Sequence, residues 1–147
     1  MKEALIEAKK AFELDEVPIG AVVVKNGTII GRGFNLRERE KDPTLHAEII
    51  AIRQAASVLG GWRLMDCDIY VTIEPCPMCA GAILQARIRR VIFGARDPKA
   101  GCAGSLYNLL EDSRFNHRTE VTEGILKEQC SQIMKDYFSQ KRNKALS

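Results

Sequence analysis

The sequence predicts an α/β fold in which helices cover a central sheet. Segments with helical spacing alternate with short β-branched segments along most of the 147 residues, and such alternation is typical of strands connected by helices. The helical segments also carry capping residues at their ends, whereas the β-branched segments are bounded by Gly, Pro and Asn. No low-complexity linker or internal repeat interrupts the pattern, so we expect residues 1–147 to form a single domain.

The first part of the chain predicts a helix, a hairpin and a second helix. Residues 2–14 place apolar side chains at helical spacing. Residues 25–27, Lys-Asn-Gly, separate two β-branched runs, and Asn-Gly between such runs is a strong hairpin signal. The next helix begins with Pro43 and Thr44, which suit a helix start, and ends at the Gly-Gly pair of residues 60–61.

The second part of the chain predicts three more strands and three more helices. In order they are a strand over residues 67–75, a helix over 76–88, a strand over 89–95, a short helix over 104–112, a short edge strand over 117–124 and a closing helix over 125–144. The strand-helix-strand unit of residues 68–95 predicts a right-handed parallel crossover. The closing helix is amphipathic, and its apolar face includes Ile125, Ile133, Met134 and Tyr137.

Composition limits the classes of protein to which the chain can belong. Hydrophobic residues make up 46% and charged residues 28% of the sequence, which is ordinary for a globular protein. The N-terminal segment has charges among its apolar residues and resembles no secretion signal, and no run is long enough for a membrane helix. Five cysteines, an odd number, argue against a disulfide framework. We therefore expect a cytoplasmic protein with no membrane contact.

Three metal-ligating side chains stand at predicted helix starts. His46 begins the motif His-Ala-Glu, and Cys76 and Cys79 form a Cys-Pro-Met-Cys motif. A strand-helix arrangement brings helix starts to one end of a sheet, so the three side chains can converge. One imidazole and two thiolates suit zinc, and three protein ligands leave a fourth position open, as in catalytic zinc sites.

Glu48 is the candidate proton carrier of this site, because a hydrolytic reaction needs a group that moves protons between water and substrate. Residues two apart on an ideal helix point to nearly opposite sides. His46 and Glu48 can therefore share a site only if both occupy the first turn, with the helix start at or just before them.

Other interpretations of each motif remain open when it is taken alone. A single Cys-x-x-Cys pair in a reducing compartment is a redox or core feature about as often as a zinc site. A His and a Glu near a helix start commonly cap and solvate that helix. The two motifs together, in this order and with prolines beside the cysteines, form a more specific signal.

These motifs resemble the signature of the zinc-dependent cytidine and nucleotide deaminase superfamily. The similarity to its bacterial members that convert the wobble adenosine of a tRNA anticodon to inosine runs from about residue 2 to residue 138. The resemblance implies a cytidine deaminase-like, three-layer α/β/α sandwich with a mixed five-stranded sheet, formed by a single zinc-dependent deaminase domain and usually found as a homodimer.

The resemblance also implies roles for individual residues. His46, Cys76 and Cys79 hold one Zn²⁺ per subunit, and Glu48 transfers protons during hydrolysis. The tRNA anticodon stem-loop is the implied partner, and its target base must be unstacked to reach the metal. The residues that the resemblance assigns to substrate or RNA binding are Asn35, Ala47, Asp97, Lys99, Asn116, His117 and Arg118. For Asn35 a turn-forming role after a strand is an equally good interpretation.

The net charge of +3 does not indicate a nucleic-acid partner by itself. Positive charge concentrates in one segment that includes Arg87, Arg89, Arg90, Arg96 and Lys99. Such a cluster attracts phosphates, although a charge run is more often a solvated face. Two further hypotheses stay open. The chain could deaminate a free base or nucleoside such as guanine or cytosine, or it could be a non-enzymatic zinc or RNA-binding module.

Overall fold

The computed structural model describes residues 1–146 and contains a five-stranded sheet packed against helices. In chain order the elements are α1 (Lys2–Glu13), β1 (Gly20–Lys25), β2 (Thr28–Phe34), α2 (Ala47–Leu59), β3 (Cys67–Ile73), α3 (Pro77–Gln85), β4 (Arg90–Ala95), β5 (Glu120–Glu123) and α4 (Lys127–Leu146). The strand order is β2-β1-β3-β4-β5. β1 is antiparallel to β2 and β3, whereas β3, β4 and β5 are parallel. The predicted mixed sheet and parallel β3-α3-β4 unit are confirmed.

Helices cover both faces of the sheet. Gly20 in β1 lies directly against α1, and Gly33 in β2 lies directly against α2. Gly33 pairs with the neighbour of Gly20 in β1, so the two glycines point to opposite faces. α4 contacts α1, and α3 contacts α2. The structure is thus the predicted three-layer α/β/α sandwich, with α1 and α4 on one side and α2 and α3 on the other.

The main core lies between the sheet and the α2/α3 layer. Its largest fully buried side chains include Ile69, Ile83, Val91 and Phe93. A smaller cluster on the other face contains Cys130, which packs directly on Gly94. Among residues 1–146, no helix has the length and apolar character needed to cross a membrane.

The hairpin forms at the predicted turn. Asn26 and Gly27 both have positive φ angles, +50° and +77°, the combination that a type I′ turn requires. Lys25 pairs with Thr28 directly across the turn. Because this turn follows the right-handed twist of the strands, the local sequence is sufficient to define it.

The prediction of a short helix over residues 104–112 is wrong. This segment forms turns and one isolated bridge between Ala103 and Asn108. Gly104 has a φ of +136°, which no helix contains. The backbone N–H of Leu109 donates to the carbonyl of Cys102 at 3.0 Å, whereas an α-helix would pair it with Ser105. The side chain of Glu74, about thirty positions away, accepts hydrogen bonds from the backbone N–H and the hydroxyl of Ser105 and anchors the segment in this conformation.

The closing helix begins later than predicted. α4 starts only at Lys127, because Gly124 and Leu126 have φ angles of +89° and +53°, which an α-helix does not contain. Ile125 therefore precedes the helix and is exposed. Tyr137 is buried, whereas Ile133 and Met134 are partly buried, so the rest of the predicted apolar face is confirmed.

Gly33 allows α2 to lie unusually close to β2. A Cβ atom at this position would meet the carbonyl oxygen of Ala47 and the backbone nitrogen of Ala51. We expect Gly33→Ala to lower the free energy of unfolding by about 1–3 kcal/mol, because overpacking forces the backbone apart. Urea denaturation measures the change. Gly61→Ala is the matched control, since nothing lies within 4 Å of a Cβ atom there, and equal stability of the two variants would contradict this account.

Candidate active site

His46 and Cys76 occupy the same structural position in their two helices. Each is the N-cap residue, with extended backbone angles, of α2 and α3 respectively. Pro77 follows as the first residue of α3, where its missing N–H costs nothing. Cys79 is the third residue of the same helix, so both thiols lie at its N-terminus. The helix predicted from Pro43 begins only at Ala47.

The start of α2 at Ala47 explains how His46 and Glu48 can both reach one site. His46 lies outside the helix and Glu48 is its second residue, so the 100° helical step does not separate them. The prediction placed both residues in the first turn. It also placed the helix start at or just before them. The structure corrects this, because α2 begins at Ala47, between the two residues, and His46 is the N-cap residue that precedes the first turn.

The three predicted ligands converge. Nδ1 of His46 lies 3.5 Å from Sγ of Cys76 and 3.4 Å from Sγ of Cys79, and all three atoms lie within 4.8 Å of one another. A nitrogen about 2.0–2.1 Å and a sulfur about 2.3 Å from one tetrahedral zinc ion would lie about 3.5 Å apart. The donor atoms and their spacing therefore fit zinc.

The two thiols differ in acidity. A hydrogen bond from the Cys79 thiol lowers the pKa of Cys76 to about 4, and the neighbouring His46 contributes in the same direction. The same hydrogen bond, together with burial, raises the pKa of Cys79. The pair thus loses its first proton from Cys76. A bound cation would favour removal of the second proton, because metal ligation requires thiolates.

Glu48 is a buried carboxyl group next to the ligand group. Its exposed fraction is 4%, and it lines the same cavity as His46 and Cys76. Burial raises the pKa of Glu48 to about 7, and the nearby Cys76 contributes further. A carboxyl group in this setting can both accept and release a proton near neutral pH.

A cavity of about 600 Å³ opens beside these residues, a size within the usual range of about 300–1,000 Å³ for small-molecule sites. His46, Ala47, Glu48 and Cys76 line it at the helix starts. The segment 96–100, directly after β4, forms one wall. The cavity therefore lies at the carboxyl ends of the parallel strands β3 and β4, where α/β folds commonly bind ligands.

Asn35 lies in this cavity and is almost fully buried. Its side-chain oxygen accepts a hydrogen bond from the backbone of Arg37 at 3.3 Å, and its amide donates to the carbonyl of Val17 at 3.3 Å. The turn-forming interpretation is confirmed by the first of these bonds. A hydrogen bond to a nucleotide stays a prediction.

The structure separates the predicted RNA-binding residues into two groups. Ala47, Asp97 and Lys99 line the cavity, as Asn35 does. Asn116, His117 and Arg118 do not line it. They precede β5, and Nε2 of His117 lies 2.7 Å from the carbonyl oxygen of Ile88.

The basic cluster predicted from the sequence is not one surface. Arg89 and Arg90 form ion pairs with Asp68 at 3.1 and 3.0 Å, at the end of β4 opposite the cavity. Arg87 donates to the carbonyl of Leu84 at the end of α3. Of the five residues, Arg96 and Lys99 line the cavity. Sequence proximity along a strand thus overstated the charge available to a ligand.

Two buried carboxylates that sequence reasoning missed support the loops around the cavity. Glu16 accepts hydrogen bonds from the backbone N–H groups of Glu38 and Arg39, at 3.1 and 2.7 Å. Glu74 accepts hydrogen bonds from the segment that follows β4. Burial acts to raise the pKa of Glu74, but the hydrogen bonds outweigh it and the pKa lies below its ordinary value. For Glu74 the sequence did contain a signal, because a glutamate directly follows an apolar strand segment.

A further wall of the cavity comes from α4, which sequence reasoning did not connect with the site. Met134, Lys135 and Phe138 line the cavity from this helix. Phe138 is 43% exposed. The packing of α4 on β4 is a tertiary contact with no local sequence signal, so its place at the site could not be inferred from periodicity.

The fold and the site together define a deaminase. The model of the MafB19-like deaminase family matches residues 1–142. The chain is 54% identical to the tRNA-specific adenosine deaminase of Bacillus subtilis, across 98% of this chain and 89% of that one. It is 51% identical to that of Streptococcus pyogenes serotype M18, across 98% and 91%. The chain belongs to the family of tRNA-specific adenosine deaminases.

Solved structures of deaminases are also similar to this chain. One is described as "Biochemical and Structural Studies of A-to-I Editing by tRNA:A34 Deaminases at the Wobble Position of Transfer RNA". It is 46% identical and superposes with a TM-score of 0.87 over 90% of this chain and 96% of that one. A guanine deaminase from Bacillus subtilis is 36% identical, with a TM-score of 0.63 over 97% and 90% of the two chains.

Proposed function

We propose that this chain hydrolyses the wobble adenosine of a tRNA anticodon to inosine and releases ammonia. The observation that carries the proposal is the 54% identity, over 98% of the chain, to a protein named tRNA-specific adenosine deaminase. The buried carboxyl group of Glu48 beside the His46, Cys76 and Cys79 donor atoms supports it.

We further propose that the donor group holds one Zn²⁺ per subunit. One nitrogen and two sulfur donors, spaced as zinc requires, support this assignment. When bound, the ion supplies the Lewis acidity that makes water a nucleophile near neutral pH. Three protein ligands leave room for that water, whereas a structural zinc site is closed by a fourth ligand.

Glu48 carries the protons of the reaction in this proposal. Its carboxylate takes the proton that water loses as the oxygen bonds to C6 of adenine. It delivers that proton to the adenine ring nitrogen. It then takes the remaining proton of the new C6 hydroxyl group and gives it to the amino group as the C6–N bond breaks, so that ammonia leaves and C6 becomes a carbonyl. Its burial keeps bulk water from exchanging with these protons, which favours transfer between enzyme and substrate.

The cavity suits a nucleotide that has been unstacked from an anticodon loop. Its volume is sufficient for a base and part of the backbone. Asn35, Asp97 and Lys99 line its walls, and we assign them to contacts with that nucleotide. We assign Asn116, His117 and Arg118 to RNA outside the cavity. A loop base is unstacked at lower cost than a duplex base. As the family resemblance implies, we propose a homodimer acting in the cytoplasm.

The decisive assay uses purified protein and an anticodon stem-loop with adenosine at the wobble position. We expect inosine and ammonia in equal amounts, with about one zinc per chain by metal analysis. A stem-loop with the adenosine moved to a stem position is the control. Absence of product with a zinc-loaded protein would remove the tRNA proposal.

The similarity to a guanine deaminase favours a second candidate, the deamination of a free base. The catalytic group does not discriminate between these substrates, because both reactions replace an exocyclic amino group. Guanine, cytosine and adenosine should be tested beside the stem-loop. Rapid turnover of a free base with none on RNA would favour the second candidate.

Lys99 should contribute to the electrostatic part of RNA binding. We expect Lys99→Ala to weaken binding of the stem-loop and to reduce the slope of log Kd against log salt by about 1, because one phosphate contact is lost. Fluorescence anisotropy over a series of KCl concentrations measures both. The matched control is Lys9→Ala, since Lys9 is exposed on α1 and does not line the cavity. Equal slopes for the two variants would contradict the assignment of Lys99.

A further inference from the structure

Glu74 is a buried carboxylate that collects hydrogen bonds from a single loop. It is 3% exposed and directly follows β3, two residues before Cys76. One carboxylate oxygen accepts from the backbone N–H of Asp97 at 3.0 Å and from the hydroxyl of Ser105. The other accepts from the backbone N–H groups of Ala103 and Ser105, each at 3.0 Å.

These bonds define the conformation of residues 97–105. Burying a carboxylate is costly unless hydrogen bonds replace water, and here all four donors come from this one segment. Gly101 lies so close to Glu74 that a Cβ atom would overlap the carboxyl group. The backbone N–H of Cys102 also donates to the carbonyl of Pro75 at 2.8 Å. The segment is therefore wrapped around the chain that leads into Cys76.

The opposite side of the same segment faces the cavity. Asp97, Pro98, Lys99 and Ala100 line it. The Asp97 side chain accepts from the backbone N–H groups of Lys99 and Ala100, at 3.0 and 3.2 Å. Glu74 fixes Asp97, and Asp97 in turn fixes the next residues of the wall.

We propose that Glu74 is a positioning residue that holds the loop 97–105 as a preformed RNA-binding wall, in fixed register with the Cys76 ligand. The inference rests on the proposed function. A preformed wall lowers the conformational entropy lost when RNA binds, whereas a loop that orders only on binding weakens apparent affinity. Glu74 itself lines the cavity, but all four of its side-chain hydrogen bonds go to the loop, so we assign it a positioning role that acts through the loop.

Glu74→Gln is the direct test, because an amide keeps the size but directs an NH₂ group toward groups that are themselves donors. We expect KM for the anticodon stem-loop to rise about tenfold, which corresponds to ordering a few side chains on binding. We expect kcat to change by less than about threefold and zinc content to stay the same. Ser105→Ala removes one donor of the four and should raise KM by a smaller factor.

Hydrogen exchange provides a readout that does not depend on catalysis. In the free protein, the amides of Asp97, Ala103 and Ser105 should exchange faster in Glu74→Gln than in the wild type. Glu7→Gln is the matched control. Glu7 is equally buried, pairs with Lys10 and Arg32, and does not line the cavity. This variant should lose stability without changing KM or exchange in residues 97–105.

The outcomes separate this proposal from the proposed function. If the wild type does not deaminate the stem-loop, the proposed function fails, and the exchange data still decide whether Glu74 holds the loop. Two results for Glu74→Gln would overturn the proposal that Glu74 holds an RNA-binding wall. One is faster hydrogen exchange with an unchanged KM, and the other is a fall in kcat and zinc content with an unchanged KM. If Glu74→Gln does not fold, Ser105→Ala decides, and an unchanged KM and exchange rate in that variant overturn the proposal.

Discussion

Replacement of Glu48 by glutamine should lower kcat on the anticodon stem-loop by about 10²–10⁴-fold, the range typical of a lost general acid–base group. Glutamine keeps the size of the side chain and can neither take up nor release a proton. Because Glu48 is not one of the three converging donors, zinc content should remain that of the wild type. Single-turnover kinetics and metal analysis on the same sample measure both quantities.

Glu128→Gln is the control for this experiment. Glu128 also lies in the first turn of a helix, but it is exposed on α4 and does not line the cavity. We expect wild-type kcat for it. If Glu48→Gln retained activity within tenfold of the wild type, Glu48 would have a structural role and the proton-transfer assignment would be wrong. If neither wild type nor variant had activity while both bound zinc and RNA, the non-enzymatic hypothesis would stand.

Removal of a ligand thiol should abolish both metal binding and activity. Cys79→Ala leaves two of three protein donors, and we expect zinc content near zero and no measurable inosine. Metal removal from the wild type by a chelator should have the same effect on activity, and added Zn²⁺ should restore it only in the wild type. Atomic absorption and the stem-loop assay measure the two effects.

Cys67→Ala is matched to this variant. Cys67 is likewise a fully buried thiol, but it lies at the start of β3 and is not part of the donor group. The Cys67→Ala variant should have a lower free energy of unfolding, as expected for a small buried cavity, while it keeps its zinc and its activity. Full zinc content in Cys79→Ala would falsify the ligand set.

The metal-ligating group could be predicted from sequence because its signal is local. His46 and Glu48 lie in one short motif, and Cys76 and Cys79 in another, and each motif sits at a helix start that Pro, Gly and hydrophobic periodicity indicate. Convergence then follows from the strand-helix topology. The exact first residue of α2 was less predictable. Pro43 and Thr44 suit a helix start, but the Asp42 carboxylate accepts hydrogen bonds from the backbone N–H and the hydroxyl of Thr44 and holds this segment as a turn.

The walls of the cavity were much less predictable, because they depend on contacts between distant segments. Residues 104–112 have a helical pattern, yet the segment forms turns and its Ser105 is held by the Glu74 carboxylate. Arg89 and Arg90 add positive charge to the sequence segment, but both pair with Asp68 at the far end of the strand. No periodicity indicates either interaction, since both join residues more than 20 positions apart.

Glu16 and Glu74 attach their loops almost entirely through main-chain N–H groups. Main-chain donors are the same for every residue type except proline. Apart from Asp97, Gly101 and Ser105, the side chains of these loops can therefore be exchanged while the loop backbone keeps its shape. In evolution, this would let one catalytic core acquire different substrates by substitutions at the rim alone. For protein engineering, it identifies the other cavity-facing side chains of both loops as the positions to randomise, with the two glutamates, Asp97, Gly101 and Ser105 left unchanged.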